Sequence, residues 1–393
     1  MLELLPAPPA DPLWDLTAEY AADPRPERLD LVLGVYRDDS GTTPVMAAVR
    51  EAETRLAERA VSKEYRGLSG NLRFNRALQD LVLGPALPAE RAVTVQTVAG
   101  TGALRLLADL VRQTYPGATV WISDPAYVNH RPILEAAGLT VRTYALGGGA
   151  DLVDGLRGAR RHDVVLLQGC CHNPTGVDPT PEEWRALADL AAREGWVPLI
   201  DLAYHGLGDG LEPDMAATRM LAARLPELLI AVSCSKNFGL YSDRTGCAIV
   251  VGPSRRGLRQ VETALQNAAR TLYSMPPEHG AAVVATILED PRLAALWRSE
   301  LEAMRGRIAA NREGLAARLA ALGREREAAE LARQKGMFSM LPLDPDGMRR
   351  LRRGFAVYGT SAGRINIAGL AQGHLPRLAD SVAAVLERAP LCR

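Results

Sequence analysis

Short apolar runs alternate with helically spaced ones through the middle of the chain. Leu228-Leu229-Ile230-Ala231-Val232 carries no polar residue, which predicts a strand covered on both faces. The same reading places strands at 119–123, 140–144, 163–168, 197–201, 228–233 and 246–251. Between them the period changes. After Gly100-Thr101-Gly102, the positions Leu104, Leu107, Ala108 and Val111 share one face of a helix. A second helix is marked at both ends, by Thr180 and Glu183 as a capping box with Pro181 in the first turn, and by Gly195 after its end. Such alternation predicts an α/β fold with a mostly parallel sheet between helices.

The flanks read differently. Residues 1–13 are rich in Pro and Ala and are expected to form an extended arm. Leu31–Tyr36 is a short apolar strand or loop, in which Gly34 permits close backbone approach, and 44–60 is helical. Pro291 opens a long helix to about Leu322, with Leu301, Met304, Ile308, Leu315, Leu319 and Leu322 as its apolar stripe. The charged stretch 324–333 is expected to be exposed. Strand-like 335–342, helical 346–354, strand-like 363–368 and helical 376–388 follow. The expected division is an arm (1–13), a small α+β domain (14–42 with 305–393) and a large domain (43–304).

A chain of 393 residues exceeds the usual limit of one core, in keeping with two domains. The 46 basic and 46 acidic residues cancel, and no long block of one sign occurs, so nothing points to a nucleic-acid or anionic-membrane partner. No apolar stretch is long enough to span a bilayer, and the start lacks the basic and apolar regions of a signal peptide. Five cysteines without framework spacing argue for a reducing cytoplasm. Cys170-Cys171-His172 is read as buried packing and no metal is expected, since neighbours on a strand face opposite ways.

Open parallel sheets bind ligands at the carboxyl ends of their strands. Polar clusters fall at four such ends: Asp124–His130, His172–Gly176, Asp201–Tyr204, and Lys236. Lys63, Lys236 and Lys335 are the only lysines, so wherever plain positive charge would serve, the chain uses Arg. A lysine at a buried strand end is a poor structural choice, because desolvation disfavours its charge. The same desolvation makes it a nucleophile toward an aldehyde. Ser233, Ser235 and Arg244 offer what a phosphate ester requires, and the Gly100-Thr101-Gly102 helix start suits an anion. A surface lysine among ordinary turn residues is the competing reading.

These residues resemble the fold type I pyridoxal-phosphate aminotransferases, and within them the aspartate and aromatic amino-acid subgroup of class I. The similarity extends from Gly34-Val35-Tyr36-Arg37-Asp38 to Gly363-Arg364-Ile365-Asn366-Ile367-Ala368-Gly369. It includes His172-Asn173-Pro174-Thr175-Gly176, Asp201 with Tyr204, and Ser235-Lys236-Asn237-Phe238-Gly239-Leu240-Tyr241. The resemblance implies a seven-stranded sheet and pyridoxal 5′-phosphate as cofactor. Lys236 would be the amine that joins the cofactor's aldehyde and then moves the substrate proton. Asp201 would pair with the pyridine nitrogen, with His130 behind it, while Asn173 and Tyr204 would bind the ring oxygen. Tyr127 would stack on the ring. Gly100, Thr101, Gly102, Ser233, Ser235 and Arg244 would hold the phosphate, with Tyr65 arriving from the second subunit of a homodimer. Gly34, Tyr127 and Asn173 would also bind substrate; Arg364 would grip its α-carboxylate, and Arg270 of the neighbouring subunit a side-chain carboxylate.

Three departures bear on specificity. Tyr127 stands where the family usually has tryptophan, Met275 where it has Asn or Ser, and Glu64 where the aspartate enzymes have a neutral amide. Thr43, Val35 and Thr101 match the aspartate members. The expected activity is therefore amino transfer between an aspartate- or glutamate-like or aromatic L-amino acid and a 2-oxo acid such as 2-oxoglutarate (EC 2.6.1). The alternatives are a specialised-metabolism aminotransferase, or β-elimination, decarboxylation or oxidation on the same fold. A cofactor-binding regulatory domain is disfavoured, because no DNA-binding module accompanies it.

Overall fold

A computed structural model describes residues 12–60, 62–146 and 152–387, in two compact units. One is built from Pro44–Gly306; the other combines the chain up to Thr43 with the chain from Arg307 onward. In chain order the second unit begins with α1 (Pro12–Ala22) and β1 (Leu29–Asp30). Most of the expected arm lies outside the described residues, and its end at Pro12 and Leu13 is the first turn of a helix instead. No Gly interrupts that segment, and its Asp15 complements the positive end of the helix.

The larger unit continues with α2 (Ala47–Arg59), α3 (Leu72–Leu83), β2 (Ala92–Val98), α4 (Ala99–Thr114), β3 (Thr119–Asp124), α5 (His130–Ala136), β4 (Thr140–Ala145), α6 (Leu152–Gly155) and β5 (Val164–Gln168). Then come α7 (Pro181–Glu194), β6 (Val197–Leu202), α8 (Leu211–Arg224), β7 (Leu228–Ser233), β8 (Thr245–Val251), α9 (Arg255–Leu272), α10 (Glu278–Glu289) and α11 (Pro291–Ala321). The strands form one seven-stranded sheet in the order β2-β8-β7-β6-β5-β3-β4. Only β8 runs against its neighbours, so the fold is the mostly parallel α/β sheet that the apolar runs imply. β5, β7 and β8 are buried along their whole length, as strands covered on both faces must be. The α7 cap forms as read: Thr180 accepts from the Glu183 amide, Glu183 answers the Thr180 amide, and Gly195 takes the left-handed conformation.

Residues of α11 up to Gly306 belong to the larger unit and those from Arg307 to the smaller. Its stripe is buried at Leu301, Ile308, Leu315 and Leu319, but Leu322 lies beyond the helix and is exposed. The smaller unit ends with α12 (Glu325–Ala332), β9 (Phe338–Met340), α13 (Pro345–Phe355), β10 (Val357–Tyr358), β11 (Arg364–Asn366) and α14 (Leu375–Glu387). β1 pairs with β10 and β9 with β11, each as a two-stranded ladder. The charged stretch 324–333 is not wholly exposed: it folds as α12 and buries Ala328 and Leu331, one turn apart on a single face.

Candidate active site

The parallel strands β3, β5, β6 and β7 are consecutive in the sheet, so the four polar clusters stand side by side at their carboxyl ends. Lys236 follows β7 in a turn closed by the Gly239 amide donating to the Lys236 carbonyl (3.2 Å), with Gly239 at φ +65°. Its Nζ lies 5.8 Å from the Tyr204 ring centre and 5.6 Å from that of Tyr241. Two phenol rings thus flank the amine. Tyr204, which follows β6, accepts on its hydroxyl from Asn173 Nδ2 at 3.2 Å. Asn173 is itself fixed by Gln168, whose side chain pairs with both the amide and the carbonyl of its backbone at 2.9 Å. The rest of that loop is tied by Asp178, which accepts from the amides of Cys171 and His172.

Asp201, in β6 and opposite Ala231 of β7, is 8% exposed. One of its carboxylate oxygens lies 2.8 Å from His130 Nε2, at the first residue of α5, and His130 is buried. A carboxylate this enclosed needs such a partner, because burial disfavours its charge. His172 packs nearby between Ser123 Oγ (3.0 Å) and Thr175 Oγ1 (2.8 Å). Burial, with a smaller contribution from the neighbouring His130, pushes its imidazole down to about 3, so the ring is neutral. Tyr127 stands edge-on to His130, with ring centres 5.2 Å apart.

The anion-binding candidates converge as well. Ser233 and Ser235 are buried with their hydroxyls 3.1 Å apart, and Gly100 sits so close that a Cβ there would lie 3.1 Å from Ser233 Cβ. No side chain caps the start of α4; the Ala99 amide donates to the Arg244 carbonyl at 3.0 Å, and the amides of Gly100, Thr101 and Gly102 follow it at the positive end of the helix dipole. Arg244 is exposed at φ +54° and donates to the Tyr241 carbonyl at 2.7 Å.

Four further candidates are Tyr65, Arg270, Arg364 and Gly34. Tyr65 is 91% exposed in the loop before α3. Arg270, exposed near the end of α9, donates to Ser274 Oγ at 2.6 Å. In the smaller unit Arg364 is buried, 4.4 Å above the Phe338 ring, and donates to the Val32 carbonyl at 2.6 Å. Gly34 backs the same ring, since a Cβ there would come within 2.6 Å of Phe338 Cζ.

The Cys170-Cys171 reading needs correction in its reason. The pair lies past the end of β5, with Cys171 at φ +53°, and the ligand atoms of Cys170, Cys171 and Asp214 lie within 4.8 Å of one another. The Asp214 carboxylate, however, already accepts the amides of Gly206, Gly208 and Asp209; the hydrogen bond with Cys171, then burial, holds Cys170 toward its protonated form, and burial does the same for Asp214. Gln168, Asp178 and Ser123 were not singled out from sequence. Gln168 was legible in principle, as the one polar residue ending an otherwise apolar strand.

A lysine amine and an enclosed carboxylate at adjacent parallel strand ends, with a helix start packed against the Ser233 hydroxyl side, define an α/β enzyme with a site for an aldehyde cofactor bearing a phosphate. The profile of the aminotransferase class I and II family matches residues 26–382, and the chain belongs to that family. It is a pyridoxal-phosphate-dependent amino-acid transaminase of fold type I. It is 45% identical to an aromatic-amino-acid aminotransferase of Pseudomonas aeruginosa, over 96% of this chain and 97% of that one. To an aspartate aminotransferase of Escherichia coli strain K12 it is 41% identical, over 98% and 100%. The solved aromatic-amino-acid aminotransferase of Burkholderia pseudomallei, covalently bound to pyridoxal phosphate, superimposes with a TM-score of 0.95 at 38% identity, covering 98% of this chain and 99% of that one. Among the described residues no helix is long and apolar enough to cross a membrane.

Proposed function

We propose that the chain exchanges amino groups between a dicarboxylic or aromatic L-amino acid and a 2-oxo acid such as 2-oxoglutarate, with Lys236 as the cofactor's anchor. The observation that carries this reading is the Lys236 amine beside Tyr204, whose hydroxyl is bound by Asn173, with Asp201 on the same strand as the approach to Tyr204. The donor set suits pyridoxal phosphate. A primary amine meets an aldehyde, an enclosed carboxylate meets a ring nitrogen, an amide and a phenol meet a ring oxygen, and two hydroxyls with an uncapped helix start meet a phosphate. When bound, that group supplies a protonated pyridine ring able to draw electron density from the substrate's Cα.

The protein's own part follows from its chemistry. Asp201, held by His130 at 2.8 Å, would pair with the pyridine nitrogen. Lys236 Nζ, held between the Tyr204 and Tyr241 rings, would be the base that takes the proton from the substrate Cα. Ser233, Ser235, Gly100, Thr101, Gly102 and Arg244 would hold the phosphate, and Tyr127 would stack on the ring. Arg364, with Gly34 beside its supporting ring, takes the substrate α-carboxylate; a planar guanidinium can do so with two parallel hydrogen bonds. The exposure of Tyr65 and Arg270 in a single chain supports their service to the site of a second copy in a homodimer. Arg270 would there take a substrate side-chain carboxylate, while Tyr127, Met275 and Glu64 adjust the pocket toward larger or less acidic side chains. The cytoplasm is the compartment that suits buried free thiols at Cys170, Cys171, Cys234 and Cys247.

The test is spectroscopic. Aspartate, glutamate, tyrosine and tryptophan are added separately to the holoenzyme while its visible absorbance is followed. Aspartate and glutamate are expected to convert the spectrum, and 2-oxoglutarate to restore it. No conversion with any of the four would reject ordinary transamination, and release of ammonia or carbon dioxide in its place would favour elimination or decarboxylation.

A further inference from the structure

Two sequence-adjacent pairs, Tyr204-His205 and Lys236-Asn237, follow the neighbouring strands β6 and β7. In each pair one member belongs to the site just described. The other is wholly buried: His205 and Asn237 are both 0% exposed, and Asn237 Nδ2 donates to His205 Nε2 at 2.7 Å. The backbone at Asn237 is held from another side by Trp297 of α11, whose Nε1 donates to the Asn237 carbonyl at 2.8 Å. Phe238 stacks on Trp297 with ring centres 4.4 Å apart and planes within 5°.

We propose that His205 is a positioning residue: by accepting from Asn237 it latches the loop after β6 to the turn after β7, and so fixes the direction of the Lys236 amine against the Tyr204 phenol. The inference rests on the reading of Lys236 as the cofactor's anchor. A latch between the immediate neighbours of the two functional side chains leaves neither loop able to shift without the other. The reach matters, because a misplacement of about 1 Å at a reacting atom costs as much as 100-fold in rate. Trp297 and the Gly239 turn bond restrain the Lys236 turn alone, whereas the His205 contact joins it to the Tyr204 loop. Burial pushes the His205 imidazole down to about 4, so near neutral pH the ring is uncharged, and in its Nδ1–H tautomer Nε2 carries the lone pair the contact requires.

Two variants separate latching from mere packing. His205→Leu fills space without accepting a hydrogen bond, and His205→Gln restores an acceptor. Each is purified as holoenzyme, and three quantities are read: the pH midpoint of the visible absorbance transition, kcat against KM for aspartate, and the thermal midpoint. His205→Leu is expected to shift the absorbance midpoint and to lower kcat by about 10-fold or more while KM changes by less than about 3-fold. His205→Gln is expected to return the midpoint and kcat toward wild type. The proposal is overturned if His205→Leu loses thermal stability but keeps the wild-type midpoint and kcat, or if the Gln variant is as impaired as the Leu variant. Should His205→Leu fail to fold, Asn237→Ala removes the donor from the other side and is read in the same way. A wild-type protein without any visible absorbance would overturn the assignment of Lys236 itself, and the latch with it.

Discussion

At Gly246 there is no room for a side chain: a Cβ would lie 2.4 Å from the Val232 carbonyl oxygen and 2.7 Å from the Ala99 carbonyl carbon. Both obstacles are backbone, which yields little, so glycine here lets the start of α4 close on β7 and β8 beside Ser233. Sequence alone marked Gly246 only as the first residue of the strand at 246–251. Single residues also set the response to acid. His172 and His205 are held near 3 and 4 by burial, below the ordinary value of 6.5. Their folded forms stay neutral where the unfolded chain takes up protons. The stability they contribute is therefore complete above about pH 6.5 and is lost as pH falls toward their folded values, on the order of 3 kcal/mol each by pH 4. Denaturant titrations between pH 7 and 4 are expected to show that fall, and the His205→Gln protein to show a shallower one. Equal slopes would mean the imidazole is not buried as described.

Elements with continuous apolar runs were the most legible. The strands at β3, β5, β6, β7 and β8 agree with their sequence ranges to within a residue or two, because burial on both faces keeps their middles apolar and confines polar residues to the ends. β2 was missed: Thr94, Gln96 and Thr97 interrupt its apolar pattern, yet all three are buried. Gln96 accounts for itself by donating to the Pro277 carbonyl and accepting from the Asn71 amide, and no local pattern shows partners so distant in sequence. β1 and β10 escaped for another reason, since each has only two residues and exists through pairing with the other. The helix over α12 was hidden by its charges, which occupy the exposed face of a segment too short to show a clear period. The strand-end clusters were legible because chemistry concentrates where parallel strands stop. The supports beneath them, Gln168, Asp178 and His205, were not, because their roles are defined by partners brought in by the fold.

At the scale of the whole molecule, the account needs more than one copy of the chain. If Lys236 acts with the Tyr65 and Arg270 of a second subunit, two inactive proteins will complement each other. A hybrid of a Lys236→Ala subunit with a subunit carrying Tyr65→Ala and Arg270→Ala contains one site in which all three residues are native. Mixing the two under exchange conditions is expected to restore activity that neither has alone, and no gain would contradict shared sites. The central claim admits a more direct test, helped by the presence of only three lysines. Holoenzyme is reduced with borohydride, digested, and its peptides are weighed. The account predicts a reduced pyridoxyl-phosphate mass on the peptide containing Lys236; a label on Lys63 or Lys335, or on no lysine at all, would contradict it.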